Sequence, residues 1–111
     1  MNLIIRPAKP EDAESIGKLA KEFINYLRSL GDETEQKFDA EIYLRDGFGA
    51  NPAFSGIVAE REGEISGYLL YHFGYDADYA ARTLHVVDFT KQVAGDYTAA
   101  AKTTISAPFA P

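Results

Sequence analysis

The side chains able to do chemistry in this chain are few, and most of them lie in its second half. Asp88 stands near the end of an apolar run, Leu84-His85-Val86-Val87-Asp88-Phe89. A carboxylate in such a place can orient an ammonium group or accept its proton through water. It can equally pair with a neighbouring backbone N–H or with Arg82. His72 and His85 fall on adjacent predicted strands, where two imidazoles can face each other. Two histidines can seed a metal site, but such a site normally wants three or more ligands. They therefore read as packed, hydrogen-bonded imidazoles, and no metal-ligand set is assigned. Asp76, Asp78 and Tyr79 make an acidic, aromatic loop that suits a polyamine and also has the composition of an ordinary solvated loop. Glu60-Arg61-Glu62 reads as a solvated face at a hairpin turn.

The elements that must position these groups follow from patterning. Leu3-Ile4-Ile5-Arg6, stopped by Pro7, predicts a first strand. Pro10 suits a first helical turn, and Glu11 and Asp12 complement the positive end of the helix dipole. Ile16, Leu19, Ala20, Phe23, Leu27 and Leu30 then recur at helical spacing until Gly31 supplies the stop. Asp39 can cap a short second helix, with Ile42 and Tyr43 turned inward and Asp46-Gly47 at its end. Residues 57–59 and 65–73 predict a hairpin about the turn Glu62-Gly63, and Gly67 suggests a bulge or a close backbone approach. Residues 74–81 read as a loop and 83–89 as the last strand. The expected architecture is α+β: strand, helix, helix, then a three-stranded antiparallel meander.

Bulk properties narrow the function classes. The 111 residues suffice for one modest core, and 46% hydrophobic content with seven Tyr and seven Phe argues for a folded chain. The absence of cysteine excludes disulfides, thiolate metal sites and a cysteine nucleophile. The net charge is -6, and residues 1–88 hold nine Lys/Arg against sixteen Asp/Glu. This argues against nucleic acid, whose phosphates need a basic footprint, and mildly favours cationic partners such as small amines. No apolar run approaches the roughly 20 residues of a membrane span and no signal peptide precedes Ile4, so a cytoplasmic, membrane-free protein is expected.

The element order and several segments together resemble the GNAT superfamily of acetyl-coenzyme A-dependent N-acetyltransferases. The segments are Ile4-Ile5-Arg6-Pro7-Ala8 with Glu11-Asp12, Leu44-Arg45-Asp46-Gly47-Phe48-Gly49 with Pro52, Ile57-Val58-Ala59-Glu60, Gly67-Tyr68-Leu69-Leu70-Tyr71-His72-Phe73 with Tyr75-Asp76, and Val87-Asp88-Phe89. Within the superfamily they are similar to the diamine (spermidine/spermine) and thialysine acetyltransferase branch. The resemblance covers residues 3–89 and implies the N-terminal half of such a domain, acting on a small primary amine. It places Asp88 near the substrate amine, as the residue that binds or deprotonates it, and Tyr26 as a substrate-side aromatic. Tyr26 can also be a core residue with its hydroxyl at the rim. Asp76 and Tyr79 become substrate-side candidates, and Phe89, Gln92 and Gly95 cofactor-side ones.

After the last strand the likeness stops. The family carries an Arg/Gln-x-x-Gly-x-Gly/Ala loop there, whose backbone N–H groups and following helix N-terminus receive the cofactor's pyrophosphate. Gln92-Val93-Ala94-Gly95-Asp96-Tyr97 imitates the spacing, but Tyr97 stands where a small residue belongs and Asp96 would repel phosphate. A short helix over residues 98–106 is expected next. The family's acidic residue beside Asp88 is Val87 here, and six of residues 93–111 are alanine. The reading is therefore a GNAT-like half-domain over residues 1–91 and an atypical tail over 92–111, with impaired acetyl-coenzyme A binding. A catalytically silent binding or self-associating module is the alternative. Homodimerisation is expected through the exposed edge of the strand holding Leu84, Val86 and Phe89.

Overall fold

The computed structural model describes residues 3–33, 35–93, 96–99 and 103–106. Strand β1 (Leu3–Pro7) leads through a single 3-10 turn (Pro10–Asp12) into helix α1 (Ala13–Ser29). Gly31 ends this helix with φ +95°, a backbone conformation that a side chain would strain. Helix α2 (Ala40–Gly47) begins where predicted, because the Asp39 carboxylate accepts the Ile42 N–H at 2.9 Å. Strands β2 (Ser55–Arg61), β3 (Glu64–Asp76) and β4 (Ala81–Val93) form the meander. The β2–β3 turn has both central residues left-handed, Glu62 at φ 53° and Gly63 at φ 83°, the twist a two-residue hairpin prefers.

The sheet is antiparallel throughout, ordered β1-β2-β3-β4, with β1 laid against β2 in the register Ile5↔Ala59. A register shift after Ala59 makes Ser66 an extra residue of β3, the bulge that Gly67 suggests. Both helices lie on one face. Ile16, Leu19 and Ala20 of α1 and Tyr43 of α2 bury themselves against Val58, Tyr68 and Leu70. The helices approach closely at Gly17, where a Cβ would stand 2.9 Å from the Ala40 backbone nitrogen. Leu30, at the end of the predicted stripe, lies past the last helical residue as the C-cap and is exposed.

Polar groups fasten β1 to this layer. The Arg6 guanidinium donates to both Asp12 carboxylate oxygens, at 2.8 and 2.9 Å, and to Glu60 at 3.0 Å. Asp12 also accepts the Lys9 N–H, and Tyr43 donates its hydroxyl to the Lys9 carbonyl. Hydrogen bonding to Arg6 holds the Asp12 carboxyl below its usual range against the opposing effect of burial. Burial pushes the Tyr43 phenol up to about 12. Glu60 is therefore not part of a solvated face, as patterning predicts, since strand pairing brings it beside Arg6. Arg61 and Glu62 are exposed.

Two further expectations need correction. The loop over 74–81 is half strand: Tyr75↔Arg82 and Asp76↔Ala81 extend the ladder, leaving a turn at residues 77–80. The helix over 98–106 is replaced by two short strands, β5 (Asp96–Ala99) and β6 (Thr103–Ser106). Both pair with β4, through Gln92↔Tyr97 and Thr90↔Ala99 and through His85↔Thr104 and Leu84↔Ile105. β-Branched Thr98, Thr103, Thr104 and Ile105 suit a ladder, and the open edge of β4 supplies unpaired backbone groups to receive them. A boundary after Lys91 thus falls inside β4.

Candidate functional site

The cleft that Asp88 lines opens between the two helices and the β3–β4 half of the sheet. Its volume is about 430 Å³. Phe23 and Ile24 of α1, Ile42 of α2, and Phe38 and Phe54 from the connections make apolar walls. Tyr68, Leu70, Val87 and Asp88 form the floor, and Gln36 and Asp46 add polar groups. An apolar slot with the Asp88 carboxylate at its floor suits a ligand with a hydrocarbon body and a cationic end, the Asp46 carboxylate being paired with Arg45.

Asp88 reaches the cleft through a local irregularity in β4. Leu70 faces Asp88 and Tyr71 faces Val86, so Val87 is an extra residue with no partner on β3. A bulge of this kind bends the strand and re-aims side chains. As a result two consecutive residues, Val87 and Asp88, border the same cavity, which regular alternation would forbid.

Two donors hold the carboxylate. The Tyr68 hydroxyl donates to one oxygen at 2.7 Å, and the Phe89 N–H donates to the other at 3.0 Å. The second contact is the local N–H partner open to a strand-end Asp, and the first partner is not apparent from the sequence. Tyr68 and Asp88 are diagonal neighbours on one face of the sheet, since Tyr68 pairs with Thr90 and Leu70 with Asp88. Burial, then the Asp88 charge, raises the Tyr68 phenol far above its ordinary range, so it stays a proton donor at any physiological pH. The Thr90 hydroxyl lies close enough to oppose that rise but makes no hydrogen bond of good geometry, and its oxygen is wholly buried.

The other predicted residues are distributed unequally. Tyr26 is partly exposed on α1, its ring stacked 6.4 Å from Phe23, which places it at the rim of the cleft rather than in its lining. Asp76 and Tyr79 lie at the far end of the β3–β4 hairpin, six residues beyond Leu70, or roughly 20 Å along an extended strand. There the Asp76 carboxylate accepts the N–H groups of Asp78 and Tyr79, closing the turn, and the Tyr79 ring is exposed. Phe89 follows Asp88 in β4, and Gln92 pairs with Tyr97. Gly95 lies outside the described residues.

The outer edge of β4 is also relevant. β5 pairs with it from Thr90 onward and β6 over Thr83 to Val86. Among the described residues, no strand pairs with that edge at Val87, Asp88 and Phe89.

A strand, two helices on one sheet face and an antiparallel meander with a bulged fourth strand define an α+β architecture consistent with part of a GNAT-like fold. No family model matches the chain. The chain is similar to thialysine N-epsilon-acetyltransferase of Sus scrofa, with 34% identity over 95 residues that cover 78% of this chain and 54% of that protein. It thus spans about half the length of the curated relative it matches. The chain is a distant relative of an acetyltransferase. Among the described residues, no helix is long and apolar enough to cross a membrane.

Proposed function

We propose that this chain is a GNAT-like acetyltransferase that moves an acetyl group from acetyl-coenzyme A to a small primary amine. The observation that carries the reading is Asp88, set by the β4 bulge at the floor of an apolar cleft. The amine's hydrocarbon body would lie against Phe23, Ile24 and Ile42, with its ammonium group at Asp88. Loss of a proton to Asp88 through water frees the nitrogen lone pair, which attacks the thioester carbonyl. Main-chain N–H groups of β4 would donate to the oxygen that gains charge, and collapse of the adduct would expel the thiolate of coenzyme A, which takes up the second amine proton. Phe89 and Gln92 flank the cofactor side in this reading. The amines to try first are thialysine, the amine in the relative's name, and short diamines.

A specific observation favours a second reading, a catalytically silent module. β4 continues as strand to Val93 and pairs with β5, instead of giving way to a loop and helix N-terminus able to receive a pyrophosphate. On either reading acetyl-coenzyme A binds weakly, and self-association belongs to the same proposal. Calorimetry with acetyl-coenzyme A, followed by mass spectrometry of an amine panel, separates the two readings. An acetylated amine whose yield falls in Asp88→Asn supports the transferase. Absence of both cofactor binding and product leaves the silent module. A cofactor dissociation constant tighter than about 1 µM would refute weak binding.

A further inference from the structure

We propose that His72 and His85 form a two-imidazole chelating site for a borderline divalent cation of the Zn²⁺, Cu²⁺ or Ni²⁺ class, separate from the cleft at Asp88. The two residues are directly opposite each other on β3 and β4, one pair beyond Tyr71↔Val86 in the ladder that runs from the bulge to Asp76↔Ala81. Their ring centroids are 4.9 Å apart and their planes are tilted by 32°. Two nitrogens bound at about 2.0–2.1 Å to one tetrahedral cation stand about 3.3 Å apart. Rings at the observed separation would reach that span by rotation about their side-chain torsions, with His85 exchanging a present interaction for the cation.

The surroundings are consistent with an accessible site. His72 is exposed and His85 half-buried. A shallow hollow lined by Pro52, Phe54, Ser55, His72 and Phe73 leaves room for water beside the first ring. The ladder fixes both Cα positions, so chelation orders only side-chain torsions, which keeps its entropic cost low. Neutral imidazole nitrogen selects Zn²⁺, Cu²⁺ and Ni²⁺ over the oxygen-seeking Mg²⁺ and Ca²⁺. The described residues hold no group of three or more His, Cys, Asp or Glu, so water completes the coordination and the ion exchanges readily. The net charge of -6 favours cation approach.

The test uses the full chain with Zn²⁺ or Mg²⁺ as the sole added ion, titrated in a calorimeter at neutral pH. Saturable Zn²⁺ binding below about 100 µM, with no Mg²⁺ response, is expected. His72→Gln and His85→Gln should each weaken Zn²⁺ binding at least about tenfold while keeping the far-ultraviolet circular dichroism of the parent. Electron paramagnetic resonance of the Cu²⁺-loaded chain should show two nitrogen ligands, a readout on the unmutated protein that holds even if a variant fails to fold. Zn²⁺ affinity unchanged in both variants, absence of saturation, or a Cu²⁺ spectrum with fewer than two nitrogens would overturn the proposal.

Discussion

Removing the Tyr68 hydroxyl should destabilise the fold and loosen the site carboxylate, and a double-mutant cycle with Asp88 measures the link. The hydroxyl donates to Asp88 at 2.7 Å from a ring that is almost wholly buried. A hydrogen bond to a charged group contributes roughly 1.5–3 kcal/mol net. Asp88 is only half-buried and faces a cleft that admits water, so the lower half of that range applies. Tyr68→Phe should therefore cost about 1.5 kcal/mol. Asp88→Ala strands the buried phenol and frees the Phe89 N–H, and should cost about 2 kcal/mol. The Phe89 contribution is absent from the coupling, since Tyr68→Phe leaves it intact, so the pair should couple by about 1–1.5 kcal/mol. Urea unfolding of the parent, both single variants and the double variant at neutral pH gives the four free energies, provided the denaturant slopes agree. Additivity within about 0.3 kcal/mol would refute the view that Tyr68 positions the carboxylate.

Asp12→Asn should cost about 2 kcal/mol, less than a fully buried pair because Arg6 is partly exposed and keeps Glu60. Because the folded Asp12 carboxyl titrates below its unfolded value of about 3.9, its contribution is complete above that pH and is lost as pH falls through the lower folded value. The variant's urea midpoint should consequently depend less on pH in that acid range than the parent's, and an identical acid limb would exclude this role. Gly17→Ala should lower the thermal midpoint, since a Cβ 2.9 Å from the Ala40 nitrogen forces the helices apart at a cost of about 1–3 kcal/mol, more than its gain in helix propensity. A higher midpoint would mean that α1 and α2 do not touch there. Sedimentation should show a dimer formed through β1, whose Leu3, Ile4 and Ile5 are each more than half exposed, because β5 and β6 occupy most of the β4 edge. Ile5→Lys should return it to monomer, and an unchanged dimer would place the interface elsewhere.

The features that residue type dictates directly are local. The stop at Gly31, the Asp39 cap, the left-handed pair Glu62-Gly63 and the Ile16, Leu19, Ala20 stripe each depend on neighbours within about one turn of chain, and each is legible from residue type. Asp88 was also legible as a candidate, from its place at the end of an apolar run and from family resemblance. The tertiary structure decided the features that depend on strand register. Whether Glu60 meets water or Arg6 depends on how β1 lies against β2, some 54 residues away in sequence. The extra residue at Val87, which turns two consecutive side chains to one cleft, exists only relative to the β3 ladder. Tyr68 finds Asp88 because pairing makes them diagonal neighbours, and nothing within either segment marks that contact. The same applies to Ala99, whose preference for a helix in isolation is overruled by the edge of β4. Propensity acts over a few residues, whereas burial and backbone pairing act over the whole sheet, so the larger energies lie with the second.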